Sequence, residues 1–264
     1  MAEQSRRRMR GGLWRGVWFL AAVLLLGGCA GQPAQPGPEQ TEAQNRASIH
    51  TQLGAGYYSR GQQAVALQEL NTATQADPGY APAYDMLGLV YMDLGEDGLA
   101  ERNFKQALKL NPNDSDAHNN YGWFLCQRGR VDESLKEFLA ALKNPLYATP
   151  GKAYFNAGVC SLKKNDVAAA EHFFNKVLAI QPQNPQALYQ LAQLSYKAGN
   201  FSAAGAYLTR LSKVAQASPE TLWLGLRTAR KLGHQDEEAS YASQLRNDFP
   251  DSPETRALLN GHYE

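Results

Sequence analysis

The sequence predicts an all-α fold: a right-handed solenoid of six stacked helix pairs plus a C-terminal capping helix. Three observations predict it. Prolines Pro78, Pro112, Pro182 and Pro250 lie 34, 70 and 68 residues apart, close to one or two multiples of a 34-residue period. Glycines keep the same step, in the series Gly54, Gly88, Gly122 and again in Gly61, Gly95, Gly129. Large and small apolar residues follow in Leu70, Phe104, Phe138 and in Ala73, Ala107, Ala141. A fixed period of this length marks an array of small units, each burying its apolar face on the next.

Each recurring position has a physical reason. The small residue at the eighth place (Gly54, Gly88, Gly122, Gly158, Ala192) lets the first helix of a pair come close to the second. Alanine at the twentieth (Ala66, Ala100, Ala170, Ala204) does the same from the other side. The large residue at the twenty-fourth (Leu70, Phe104, Phe138, Phe174, Leu208) fills the space between successive pairs. Glycine near the fifteenth permits the tight turn that ends helix A. Proline near the thirty-second stops helix B. This period and this set of positions are those of the tetratricopeptide repeat. Six units result: 47–80, 81–114, 115–150, 151–184, 185–218 and 219–252.

Two units depart from the pattern. The third is two residues too long, and the excess falls in KNPLYATPGK, where Pro145 and Pro150 require a longer loop. In the sixth, Gly225 sits one place early and Glu238 replaces the alanine. Residues 253–264 are expected to form a polar capping helix, with Asp251 or Ser252 as its cap and Pro253 at its first position.

The N-terminus carries an address. Arg6, Arg7, Arg8, Arg10 and Arg15 precede the short apolar run Val17–Leu26, too short to span a bilayer of ~30 Å as a helix. Leu26-Gly27-Gly28-Cys29 resembles a bacterial lipobox, which implies cleavage before Cys29 and acylation of that cysteine. Ala30 after it, rather than aspartate, implies the outer membrane. The alternative is an ordinary signal peptide or an uncleaved anchor. Removing residues 1–28, with five arginines and one glutamate, moves the formal charge from +1 to −3. Residues 29–46, with Pro33, Pro36 and Pro38, read as a lipid-bearing tether; at ~3.1 Å per residue it would reach roughly 50 Å.

No catalytic set emerges. None of the five histidines pairs at i, i+4 or lies in a cysteine cluster, and there is no glycine-rich phosphate loop or nucleophile elbow. The chain reads as a binding protein without cofactor or metal, not an enzyme. No concentrated basic face argues for nucleic acid. Cys126 and Cys160 fall on the A helices of adjacent units. Two readings stay open: a disulfide, or two buried thiols that pack as small hydrophobes.

The expected partner-binding groove is the concave face built by the A helices. It would present Tyr58, Leu89, Met92 and Trp123 from units one to three, and Phe155, Leu162, Tyr189 and Tyr196 from units four and five. An apolar groove of this kind suits an amphipathic helix or an extended peptide; the alternative is that these residues pack on the neighbouring A helix. Asn120 and Asn156, at the sixth places of units three and four, are expected to grip a ligand's backbone. Arg227, Arg230 and Lys231 read as an exposed basic ridge.

One segment goes beyond the generic repeat. NNYGWFLCQRGRVDESLKEFLAALKNPLYATPGKAYFNAGVC, residues 119–160, resembles the type IV pilus biogenesis/stability lipoproteins of the PilF/PilW family. The matching pieces are N-Y-G-W-F-L-C, the loop L-K-N-P-L-Y-x-T-P and N-A-G-x-C. The resemblance implies an outer-membrane lipoprotein that acts as a pilotin: it binds the pilus secretin and promotes its localisation and assembly into multimers. The runner-up is a lipoprotein adaptor that scaffolds cell-wall enzymes or an outer-membrane assembly machine.

Overall fold

The structure is a computed structural model of the chain and describes residues 41–263. The export segment, Cys29 and the tether up to residue 40 lie outside the described residues. Among the described residues there are thirteen helices and no strand. They run in consecutive pairs: α1 (Glu42–Ser59) with α2 (Gln63–Ala76), α3 (Ala81–Asp93) with α4 (Asp97–Leu110), and α5 (Ser115–Gln127) with α6 (Val131–Ala141). Then come α7 (Pro150–Lys163) with α8 (Val167–Ile180), α9 (Pro185–Lys197) with α10 (Phe201–Leu211), and α11 (Pro219–Leu232) with α12 (Gln235–Asp248). The short α13 (Pro253–Leu259) packs on both members of the last pair. The described body is a tetratricopeptide-type solenoid.

Close approach inside each pair sets the geometry. A Cβ placed on Gly88 would lie 2.6 Å from the Phe104 ring, and one on Gly158 would lie 2.6 Å from Phe174. Gly54 faces Leu70 and Gly122 faces Phe138 in the same way. The rings of Phe104, Phe138 and Phe174 are fully buried, and each contributes roughly 2–3 kcal/mol of apolar burial. A helices touch the A helices of the next unit, α1 on α3, α3 on α5 and α5 on α7, whereas no two B helices meet to a similar degree. The stack therefore curves with the A helices on its inner side.

Punctuation is local chemistry. Gly61, Gly95, Gly129 and Gly199 follow the A helices with φ between 73° and 76°, a conformation open to glycine at little cost. Unit four places Asn165 there at φ 60°, the residue type that best tolerates this region after glycine. Pro78, Pro112, Pro182 and Pro250 each stand two residues beyond the end of a B helix. A clip recurs between the two helices of units one and three: His50 Nδ1 meets Glu69 at 2.7 Å and His118 Nδ1 meets Glu137 at 2.6 Å.

Three boundaries differ from expectation. The helical body begins at Glu42, inside the stretch assigned to the tether, because Thr41 and Gln44 form a reciprocal capping box that starts α1. The terminal helix stops at Leu259 rather than continuing to the chain end, and Gly261 turns the chain at φ 69°. The sixth unit keeps the small-to-large pairing after all: Gly225 lies under Tyr241, 16 residues on, the spacing that joins Gly88 to Phe104. Only that pair moves one place: Gly233 still stands 34 residues after Gly199 and Pro250 68 after Pro182, while α11 runs one residue longer than α9, so that Gly233 is itself the cap at φ 75°. The long loop of unit three is held by Tyr147, buried to 8% exposure against Leu142 and Ala153, with its hydroxyl 3.3 Å from Asp116.

Candidate functional site

The inner face carries a row of half-buried apolar side chains. Tyr58, Leu89, Met92, Trp123, Phe155, Leu162, Tyr189 and Tyr196 are all neither buried nor fully exposed. Each rests on the cluster behind it. Leu89 and Met92 pack against Phe104, Tyr121 and Phe124. Trp123 packs against the cluster of Cys126, Phe138 and Cys160. Phe155, Leu162, Tyr189 and Tyr196 pack against the core around Phe174, Leu188 and Leu208, and Tyr58 against Leu70 and Leu87. Packing on neighbours and exposure to a partner are thus not exclusive here. Such half-anchored side chains lose little freedom on binding, which favours their use as contacts.

Polar groups on this face link successive A helices. The Tyr58 hydroxyl donates to Asp93. Arg128 reaches back to the Met92 carbonyl at 3.3 Å and pairs with Asp97. Lys163 donates to Gln127 at 2.9 Å. Asn120 and Asn156 belong to the same set. Asn120 Nδ2 donates to Asp85 Oδ2 at 2.8 Å, Asn119 Nδ2 donates to Asn120 Oδ1 at 3.3 Å, and Asn156 Nδ2 donates to Asn119 Oδ1 at 3.0 Å. The two asparagines expected to hold a ligand's backbone therefore direct their N–H groups into a ladder across α3, α5 and α7.

Asp85 ends that ladder and was not singled out by the sequence. It is 9% exposed, and its Oδ1 has no hydrogen-bond partner. Burial pushes its carboxyl up to about 7; the Asn120 hydrogen bond opposes this, and Asp114 and Asp116 add to it. The signal that could have found it is an acidic residue inside the otherwise apolar APAYDMLGL. Cys126 and Cys160 are fully buried and joined as a disulfide, with Cα atoms 5.8 Å apart, tying α5 to α7 beside the ladder.

The basic ridge is corrected in part. Arg230 and Lys231 are exposed, but Arg227 is half-buried and its Nε is buried without a hydrogen-bond partner. Its guanidinium lies 5.0 Å from the centre of the Tyr196 ring and 5.7 Å from that of Trp223. A helical spacing in sequence could not show that Tyr196 of α9 would join Trp223 of its own helix in flanking it.

Among the described residues no group of three or more His, Cys, Asp or Glu is placed to hold a metal, and no helix is long and apolar enough to cross a membrane. Comparison with known proteins gives the face a context. A profile of the tetratricopeptide repeat family matches residues 69–212. The type IV pilus assembly protein PilF of Pseudomonas aeruginosa is 30% identical over 174 residues, 66% of this chain and 69% of PilF. The chain belongs to the tetratricopeptide-repeat proteins of type IV pilus biogenesis. A solved structure of PilW, described as a widely conserved type IV pilus biogenesis factor, superimposes with TM-score 0.72 at 34% identity, over 81% of this chain and 98% of PilW. A structure of Pseudomonas aeruginosa PilF gives 0.76 at 28% identity, over 84% and 100%. Tetratricopeptide repeats are protein-interaction modules.

Proposed function

We propose that the protein is an outer-membrane lipoprotein acting as a pilotin: anchored through Cys29, it binds the pilus secretin and promotes its localisation and multimerisation. The observation that carries the reading is kinship with PilF and PilW over the body of the chain. It is joined to the inner row from Tyr58 to Tyr196, half-anchored and apolar. The lipobox at Leu26–Cys29 supports the address. Unassembled secretin subunits expose strand edges prone to wrong pairing. A receptor held at the same membrane raises the effective concentration for capture.

The test is genetic and biochemical. Replacing Cys29 by serine is expected to leave a folded protein away from the outer membrane, with secretin multimers strongly reduced. Replacing Met92 and Trp123 together by glutamate is expected to abolish co-purification of secretin fragments while the melting transition persists. Normal secretin multimers in cells carrying either variant would overturn the proposal.

A further inference from the structure

A second candidate lies towards the C-terminal end of the array, where α9, the start of α10, α11 and the segment after α13 line an open cleft of about 780 Å³. This is within the size range of sites that take small molecules or short peptide segments. Four cations line it, Lys197, Arg227, Arg230 and Lys231, and no carboxylate among the described residues does. Its walls are aromatic. Tyr196 and Phe201 meet edge to face at 5.3 Å, and Tyr263 stacks on Trp223 at 5.9 Å with planes 15° apart.

Of the four cations, only Arg230 meets a carboxylate among the described residues. Arg230 lies 3.8 Å from the Tyr263 ring centre and makes one long contact, 3.3 Å, to Glu238. Arg227 sits between Tyr196 and Trp223 with its Nε unpartnered. Among the described residues, neither Lys197, Arg227 nor Lys231 forms an ion pair. A buried unmet donor costs about 1–3 kcal/mol, and among the described residues three of the four cations have no carboxylate partner.

We propose that this cavity binds an acidic peptide segment, with two or more carboxylates against the cations and an apolar or aromatic side chain between the rings. The backbone around the cavity selects peptide over phosphate. Lys197 and Gly199 belong to the end of α9, Arg230 and Lys231 to the end of α11, and Gly261 to the turn after α13. Helix C-termini present carbonyl oxygens and partial negative charge, which weigh on any anion but more on a phosphate dianion than on a singly charged carboxylate. A peptide brings N–H donors for those carbonyls along with its carboxylates. The helix start nearby, that of α10, is closed by Asn200, whose side chain accepts from Ala203 N. The site shares Tyr196 with the inner row but does not rest on the secretin reading.

Fluorescence anisotropy on the full chain tests it, with a labelled hexapeptide of alternating glutamate and phenylalanine as probe. The expected result is saturable binding that weakens with salt, and roughly tenfold weaker binding by the Arg230→Gln, Lys231→Gln double variant. Both side chains are exposed, so that variant keeps its fold; Arg227→Gln should weaken binding further. Arg102→Gln, exposed on α4, should change nothing. A glutamine-phenylalanine hexapeptide that binds equally well would overturn the proposal, as would an undiminished double variant. Displacement of the probe by inorganic phosphate, an oligonucleotide or anionic vesicles at lower concentration than by unlabelled acidic peptide would reassign the cavity to phosphate chemistry. No secretin is present in the assay, so its failure bears on this cavity alone.

Discussion

Units three and four and units five and six share one hairpin geometry but treat their inner-face polar groups in opposite ways. Between α5 and α7 the groups satisfy one another: Asn119, Asn120 and Asn156 form a ladder, and Cys126 joins Cys160 beside it. Around α9 and α11 the polar groups are cations held by rings, with the Arg227 Nε unmet. The difference teaches that the repeat fixes where a side chain stands and leaves open what it does. The middle uses the inner positions for cohesion, and the C-terminal end keeps them available for charge.

Removing the disulfide should break the contrast most. Replacing Cys126 and Cys160 together by alanine is expected to cost about 3–4 kcal/mol in denaturant unfolding, from the loop of separation 34 that the bond closes. Hydrogen exchange should speed up in α5 and α7 and stay unchanged in α11. Equal loosening of α11 would show that the two regions are one cooperative unit.

Asp85 gives the next effect. Its carboxyl ionises near 7 in the folded chain and at ~3.9 in an unfolded one. The folded state thus keeps a proton that the unfolded state releases between these values. This contribution is complete below ~4 and is lost as pH rises through about 7, a fall of about 2–3 kcal/mol between pH 5 and 8. In Asp85→Asn that slope should flatten, measured by unfolding at several pH values; an unchanged slope would place the titration elsewhere.

The smallest effect compares two glycines. Gly158→Ala drives a methyl into the fully buried Phe174, and a cost on the order of 1–3 kcal/mol is expected. Gly225→Ala meets Tyr241, which is only half-buried and can swing outward, so its shift in melting temperature should be smaller. Equal costs would mean that the sixth unit is as tightly packed as the fourth.

Much of the fold was legible because it is local and repeated. A period of 34 with Gly88 under Phe104 and Pro112 after α4 is written in the chain, and each unit needs only its neighbour. The slip in unit six was legible as an early Gly225, but its meaning was not: Tyr241 moves with it, which only the packed pair reveals. The inner row could be read from helical spacing, whereas the roles of Asn120 and Asn156 could not. Their partners lie on other helices 35 and 37 residues away.

The sequence by itself determined the repeat, the turns and the cohort of side chains turned inward, since these follow from spacing and residue size. Tertiary structure alone decided which polar groups meet. It placed Asp85 in a dry site, turned two asparagines into struts, and closed aromatic rings around Arg227. The reason is distance: burial and hydrogen bonding depend on atoms a few ångströms apart in space, and here those atoms are tens of residues apart along the chain.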